Sequence, residues 1–397
     1  MLTGLYFAQG LPFGFFTQAV PVVLRRAGFG LVEISAAGML FAPWAVKFLW
    51  APYVDRYGTR KRWLIILQLV TAATTLVLAT LDYSTTLTWL FAGVAVINVA
   101  SATQDVATDG LAVRLLDERG RGLGNAIQVG AYRIGMIVGG GGLLWLYGVA
   151  GWRVLFVTMA ALLLLATLPV YLLDEPPITR THTTGALALS GAWITRLRRP
   201  GVLAFLGLLV AFKFGDSMVS AVVGPYLVDN NFTITEIGWI KGGLASAGAL
   251  AGAAAGGVVA ARLGRRRALL ITGVAQTASL ILYFLSALGV GGFALIVTAT
   301  IAEHVLGGAA TVALFALMMD ASEAAHAGTD YTLYACAVVA AQGVAGLAGG
   351  AIGDFAGYPA LFGTGFVLSA IGCAVLVVGL RRSKAIKDTT FTQKHRH

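Results

Sequence analysis

Apolar residues run through this chain in blocks of about 20, parted by short clusters of Arg, Lys, Asp, Gly and Pro. About 20 apolar residues in a helix cross the hydrocarbon of a bilayer. A membrane barrel would instead alternate over segments of about 10, and no such alternation occurs. Twelve spans are expected, over roughly 2–24, 33–52, 63–81, 87–116, 123–148, 152–173, 201–228, 236–261, 268–287, 291–319, 330–352 and 358–380. The first begins at Leu2 with no basic stretch before it and no small-residue cleavage site after it, so a retained helix is expected rather than a signal peptide. The longest polar stretch, Asp174 to Arg199 with Pro176-Pro177 inside it, parts the spans into two sixes. The expected organisation is a six-helix bundle over 1–173, a cytoplasmic central loop over 174–200, a second bundle over 201–380 and a basic cytoplasmic tail over 381–397.

Composition agrees with that class. Of 397 residues 58% are hydrophobic and 12% charged, against about 25% charged in soluble domains. The 51 glycines suit close helix packing in lipid. A formal net charge of +10 invites a nucleic-acid partner, but its placement removes the need for one. With both termini cytoplasmic, Arg25, Arg26 and Arg153 alone fall in outer loops, and Lys47, Arg133, Lys213 and Lys241 lie within spans. All other Lys and Arg fall on the inner side, which is the positive-inside bias of a cytoplasmic (inner) membrane protein. Cys336 and Cys373 occupy separate apolar blocks, so neither a disulfide nor a metal site is expected.

The two halves repeat each other at an offset of about 200 residues. Phe7-Ala8-Gln9-Gly10 answers to Phe212-Lys213-Phe214-Gly215, and Glu33-Ile34 to Glu236-Ile237. Asp55-Arg56-Tyr57-Gly58-Thr59-Arg60-Lys61-Arg62 answers to Arg262-Leu263-Gly264-Arg265-Arg266-Arg267. This basic loop resembles the signature loop of the major facilitator superfamily. The resemblance implies an all-α fold of twelve transmembrane helices in two pseudo-symmetric six-helix bundles. It also implies a cytoplasmic gate built from Asp55, Arg56, Gly58, Arg60 and Lys61. Further stretches resemble the AmpG-type muropeptide permeases, the siderophore importers of the RhtX/FptX type and the acetyl-CoA transporters. They are Gly10-Leu11-Pro12, Lys47 to Arg56, Ser101 to Asp105 with Asp109, Glu118-Arg119-Gly120, Gly130-Ala131-Tyr132-Arg133-Ile134-Gly135-Met136, Lys213 to Asp216, and Glu303 with Gly307-Gly308. On that resemblance Tyr132 joins the substrate cavity and Arg119 the gate. Muropeptide permeases often carry further spans, so twelve is closer to the compact siderophore-importer type.

Ionisable residues inside the spans carry the candidate chemistry, because charge at bilayer depth is costly and persists where it works or is paired. Asp105 and Asp109, four apart in span four, share one helix face. At 1.5 Å per residue they lie about 16 and about 10 Å from the inner end, and Arg133 in span five about 15 Å. An Asp105–Arg133 pair is therefore expected, either a fixed bridge or one that substrate or a proton opens, with Asp109 toward the inner gate. Lys213 and Asp216, three apart in span seven, can pair and still face a cavity. Glu303, deep in span ten, suits carrying a proton; His304 beside it is expected to point elsewhere and simply pack. Gln9, Gln104 and Gln128 are expected neutral cavity contacts. Lys47 and Lys241, near span ends, are expected to snorkel to the interface.

The expected function is secondary active transport by a monomeric carrier seated in the lipid bilayer. There is no Gly-x4-Gly-Lys-Ser/Thr run to hydrolyse nucleotide. A proton gradient is therefore the expected energy source, and no cofactor is expected. From the resemblance, the small-molecule cargo is a siderophore, an anhydromuropeptide or another bulky polar solute, imported by alternating access. A drug or metabolite exporter of the same fold is the alternative. An integral-membrane transferase is disfavoured, since His182, His304, His326, His395 and His397 form no array at metal spacing.

Overall fold

The structure, a computed structural model, describes residues 1–56, 59–81, 87–115, 130–173, 197–322 and 327–382. Its helices are α1 (Leu2–Arg26), α2 (Leu31–Val46), α3 (Ala51–Arg56), α4 (Arg60–Thr80), α5 (Leu87–Leu115), α6 (Gly130–Tyr171), α7 (Val202–Asp229), α8 (Ile234–Leu263), α9 (Arg265–Ala287), α10 (Gly292–Ala321) and α11 (Ala327–Arg382). Nine of the described helices are long and apolar enough to cross a membrane. Two of them run far past one crossing and break once each, α6 at Gly151 (φ 82°) and α11 at Gly357 (φ 80°). Only glycine adopts that left-handed backbone cheaply, so each break divides a pair of the expected spans. The two glycines also stand at matching places in the repeat.

Span two is the exception to regular helix. Pro43 and Pro52 each remove a backbone donor. Helix α2 accordingly contains a tight 3-10 turn at Gly38–Phe41, and another at Lys47–Leu49 joins it to α3. Side chains three apart eclipse in such turns, which aligns Lys47 and Trp50 toward α5, the helix that Trp44 also faces. Trp44 Nε1 donates to Asn98 Oδ1 (3.2 Å), and Trp50 Nε1 to Thr103 Oγ1 (3.1 Å). In α1, α6 and α8 the coil widens into π-helical turns at Phe15–Ala19, Val138–Gly142 and Gly238–Ala245.

The chain forms two compact units. Unit 1 takes Met1–Phe29, Ala36–Leu189 and Leu227–Gly243; unit 2 takes Gly30–Ser35, Ser190–Tyr226 and Leu244–His397. In unit 1, α4 packs on α5 and α6, and α1 packs on both of the latter. Leu5, Val54, Leu64, Ala107, Leu111 and Val170 form one of its apolar cores. In unit 2, α7 lies along α11, and α10 along α8 and α9. Phe205, Leu209, Phe212, Leu314, Leu317 and Met318 belong to its core.

The repeated Glu-Ile pair turns out to be a helix start. Thr233 caps α8 by accepting from Glu236 N (3.2 Å), and Glu236 Oε2 takes Thr233 N (2.8 Å), a reciprocal capping box. At α2 the same Glu does the same work, Glu33 Oε2 accepting from Gly30 N (2.9 Å). Gly30, however, has no side chain to offer in return. Asp354 of α11, in the same unit, supplies the missing acceptor, taking Leu31 N at 2.8 Å and Val32 N at 2.7 Å. Asp354→Ala is expected to cost about 1 kcal/mol, the worth of a lost helix cap, read as a small fall in the thermal unfolding temperature in detergent. Thr233→Ala should cost a similar amount; no change in either variant would show that these helix starts draw nothing from their caps.

Candidate transport site

In unit 1, Lys47 and Asp105 form an ion pair. The expected Asp105–Arg133 bridge is therefore corrected: Asp105 is held by Lys47, and Arg133 has no ion pair among the described residues. The cause lies in the 3-10 turn at Lys47–Leu49, which swings Lys47 onto α5 instead of letting it reach for the interface. Lys241 does not snorkel either; only 4% exposed, it lies in the π-helical turn of α8. Asp109, one turn below Asp105, accepts a hydrogen bond from Tyr6 Oη at 3.0 Å. The two carboxylates thus share a face, as their spacing implies, but each is engaged by a different helix.

Around them the polar groups are buried. Gln9 and Gln104 are 1% and 3% exposed, and neither amide atom of Gln9 has a hydrogen-bond partner among the described residues. Gln68 on α4, which nothing in the sequence singles out, is in the same condition. Tyr132 is half-buried, and its ring lies 5.7 Å from that of Phe13. Phe13 in turn meets Phe41 at 5.5 Å and Trp44 at 5.6 Å, both edge-to-face. Lys47 Nζ sits 5.4 Å over the Trp44 ring, close enough for a cation–π contact.

Of the gate residues, Arg60 is buried and Lys61 donates to Tyr171 O and Leu173 O, both at 2.8 Å. Lys61 thereby caps the last carbonyls of α6, a favourable place for a cation. Thr59 starts α4 by accepting from Arg62 N at 3.2 Å. Asp55 and Arg56 end α3 and are described by their backbone only. Gly58, Arg119 and Gln128 lie outside the described residues.

In unit 2, Lys213 Nζ and Asp216 Oδ2 are 2.7 Å apart across one helical turn, each residue 5% exposed. Asp216 Oδ1 has no hydrogen-bond partner among the described residues. Glu303 is 5% exposed, and His304 does not point away from it: its Nδ1 lies 2.6 Å from Glu303 Oε2 and 2.9 Å from Thr300 O. Adjacent side chains on a helix diverge by about 100°, yet both are long enough to fold back across that angle. Gln276 of α9, 2% exposed, approaches the same place. A Cβ added to Gly307 would lie 3.4 Å from Gln276 Nε2 and 3.8 Å from Glu303 Oε1. Gln276 and Tyr283, the latter fully buried, are contributors that sequence spacing does not reveal. Among the described residues no group of three His, Cys, Asp or Glu is placed to hold a metal ion.

Among the described residues, nine apolar helices of spanning length, with ion pairs set among them, mark a multi-pass membrane protein. The sequence pattern of the Major Facilitator Superfamily matches residues 2–214 and again 204–397, once for each half. The anhydromuropeptide permease of Escherichia coli K12 is 31% identical over 344 residues, covering 83% of this chain and 69% of the permease. A putative transporter, AmpG 4 of Rickettsia felis, is 27% identical over 287 residues, covering 68% and 69%. Among solved structures, the nucleoside transporter NupG aligns with TM-score 0.71 over 96% of this chain and 98% of its own, at 12% identity. A D-xylose–proton symporter aligns with TM-score 0.73 over 98% of each chain, at 14% identity. The chain belongs to the major facilitator superfamily, among its AmpG-type permeases. It is a transporter and not an enzyme.

Proposed function

We propose that this transporter imports a bulky polar solute of the anhydromuropeptide kind together with protons, across the inner membrane and by alternating access. The cargo follows from likeness to the Escherichia coli permease. The observation that carries the coupling is the pair of carboxyl groups in unit 2, Asp216 and Glu303, each 5% exposed. Ionisable side chains inside spanning helices commonly line ion and proton paths. A bound proton drives transport only where it binds one conformer better than the other. Asp216, neutralised by a proton, would release Lys213; Glu303, likewise, would change its contact with His304.

Proteoliposomes test this directly. Purified protein should accumulate labelled anhydromuropeptide when the outside is made acidic. Glu303→Gln should abolish most of that accumulation, while exchange of labelled for unlabelled solute continues. The same experiment on Asp216→Asn shows which acid carries the proton. Full accumulation in both variants would remove the coupling from these residues. Uptake of a ferric siderophore in place of the muropeptide would move the cargo.

A further inference from the structure

We infer that Arg133 and Tyr132, neighbours in α6, take an anionic cargo: a carboxylate on the guanidinium and a sugar ring on Tyr132 and Phe13. This deepens the cargo reading above and rests on it.

Unit 1 spends both of its span-four carboxylates on groups other than Arg133. Asp105 is paired with Lys47, and Asp109 is hydrogen-bonded by Tyr6. The other basic residues inside this unit's spans, Lys47 and Lys241, have partners. Arg133, half-buried in α6, has neither an ion pair nor a hydrogen bond among the described residues. A guanidinium keeps its charge in any protein setting and offers a planar fork of donors that matches a carboxylate. Removed from bulk water without an acceptor it destabilises the carrier, and an incoming carboxylate would relieve that cost.

The neighbour in sequence, Tyr132, begins an apolar surface suited to a ring. Phe13 stands at its centre, with Tyr132, Phe41 and Trp44 all within 5.7 Å of it between ring centroids. Phe13, Phe41 and Tyr132 are only half-buried, so the set is not a sealed core. Aromatic surface with a few placed polar groups is the usual lining of a small-molecule site. A purely apolar cargo would leave Arg133 unanswered, and a cationic one would be repelled. The class that satisfies both features is a ring-bearing carboxylate.

The test uses the full-length carrier, anhydromuropeptide, and the same compound with its carboxyl groups converted to methylamides. In the unaltered protein the acid should bind about tenfold more tightly than the amide, the worth of one charged hydrogen-bonded contact. Arg133→Gln should bind both forms alike, and Arg133→Lys should recover part of the preference. Phe13→Leu should weaken both forms by a similar factor. Without cargo, Arg133→Gln should unfold at the same temperature as the parent or higher, because it loses a charge that nothing answers. A fall of several degrees would make Arg133 a structural residue and overturn the inference. So would equal binding of acid and amide by the unaltered carrier, a result that leaves the cargo reading standing. Failure of either form to bind the unaltered carrier removes the cargo reading, and this inference with it.

Discussion

Gly139→Ala is expected to lower the unfolding temperature by about 5 °C or more and to leave little monodisperse protein in detergent. A Cβ at Gly139 would lie 1.9 Å from Leu11 O and 2.8 Å from Leu11 C. These are backbone atoms, so only a shift of α1 as a whole makes room. The crossing is reciprocal. A Cβ at Gly10 would meet Tyr132 O at 2.1 Å, at Gly14 Met136 O at 2.3 Å, and at Gly135 Phe7 O at 2.3 Å. Two glycines four apart on α1 thus face two glycines four apart on α6, the small-residue pattern that lets membrane helices touch backbone to backbone. Overfilling a packed site costs about 1–3 kcal/mol and sometimes more. Alanine in place of glycine returns about 1 kcal/mol of helix propensity, so the clash wins. Gly142→Ala is the control: its Cβ would meet only Val138 Cγ1, at 3.9 Å, and its unfolding temperature should stay or rise slightly. Equal melting of the two variants would mean that α1 and α6 do not cross this closely.

That crossing also shows what the chain discloses before folding. Block length and the breaks between blocks are read off hydropathy, because lipid imposes both. The repeat is visible too, and the paired Glu33-Ile34 and Glu236-Ile237 mark equivalent places for a physical reason, since each Glu caps the helix it begins. What hydropathy misses is direction. Gly10, Gly14, Gly135 and Gly139 are legible as two small-residue pairs, but only packing shows that they belong to one another. The α2 start is harder still, because its acceptor, Asp354, comes from the opposite half of the sequence.

At the candidate site, depth along a helix predicts which residues share a level and does not predict which meet. Asp105 and Arg133 stand at similar depths along their helices, yet Asp105 faces Lys47. A regular span two would leave Lys47 near its end; the 3-10 turn between Pro43 and Pro52 redirects it. Lys213 and Asp216 are legible because both lie on one helix, where spacing of three suffices to join them. Gln68 and Gln276 carry no charge and no motif, so only their burial without apolar character draws attention to them.

Replacement of Lys47 should be the most damaging single change to the ion-paired residues of unit 1 that are described by their side chains. In Lys47→Ala, Asp105 keeps its place, 9% exposed, without its cation. Removing one member of a buried pair costs about 3–5 kcal/mol. With 21% and 13% of the two side chains exposed, the lower end applies. The loss of the Trp44 contact adds about 0.5–1 kcal/mol. Lys47→Met combined with Asp105→Asn should recover most of the stability, since two neutral groups need no mutual compensation. A double-mutant cycle on unfolding should then give a coupling of at least about 1.5 kcal/mol. The same cycle run on Arg133→Gln and Asp105→Asn should give a value near zero. Reversed results, with strong coupling to Arg133 and none to Lys47, would restore the pairing that helix depth alone implies and take from Arg133 its freedom to meet a cargo.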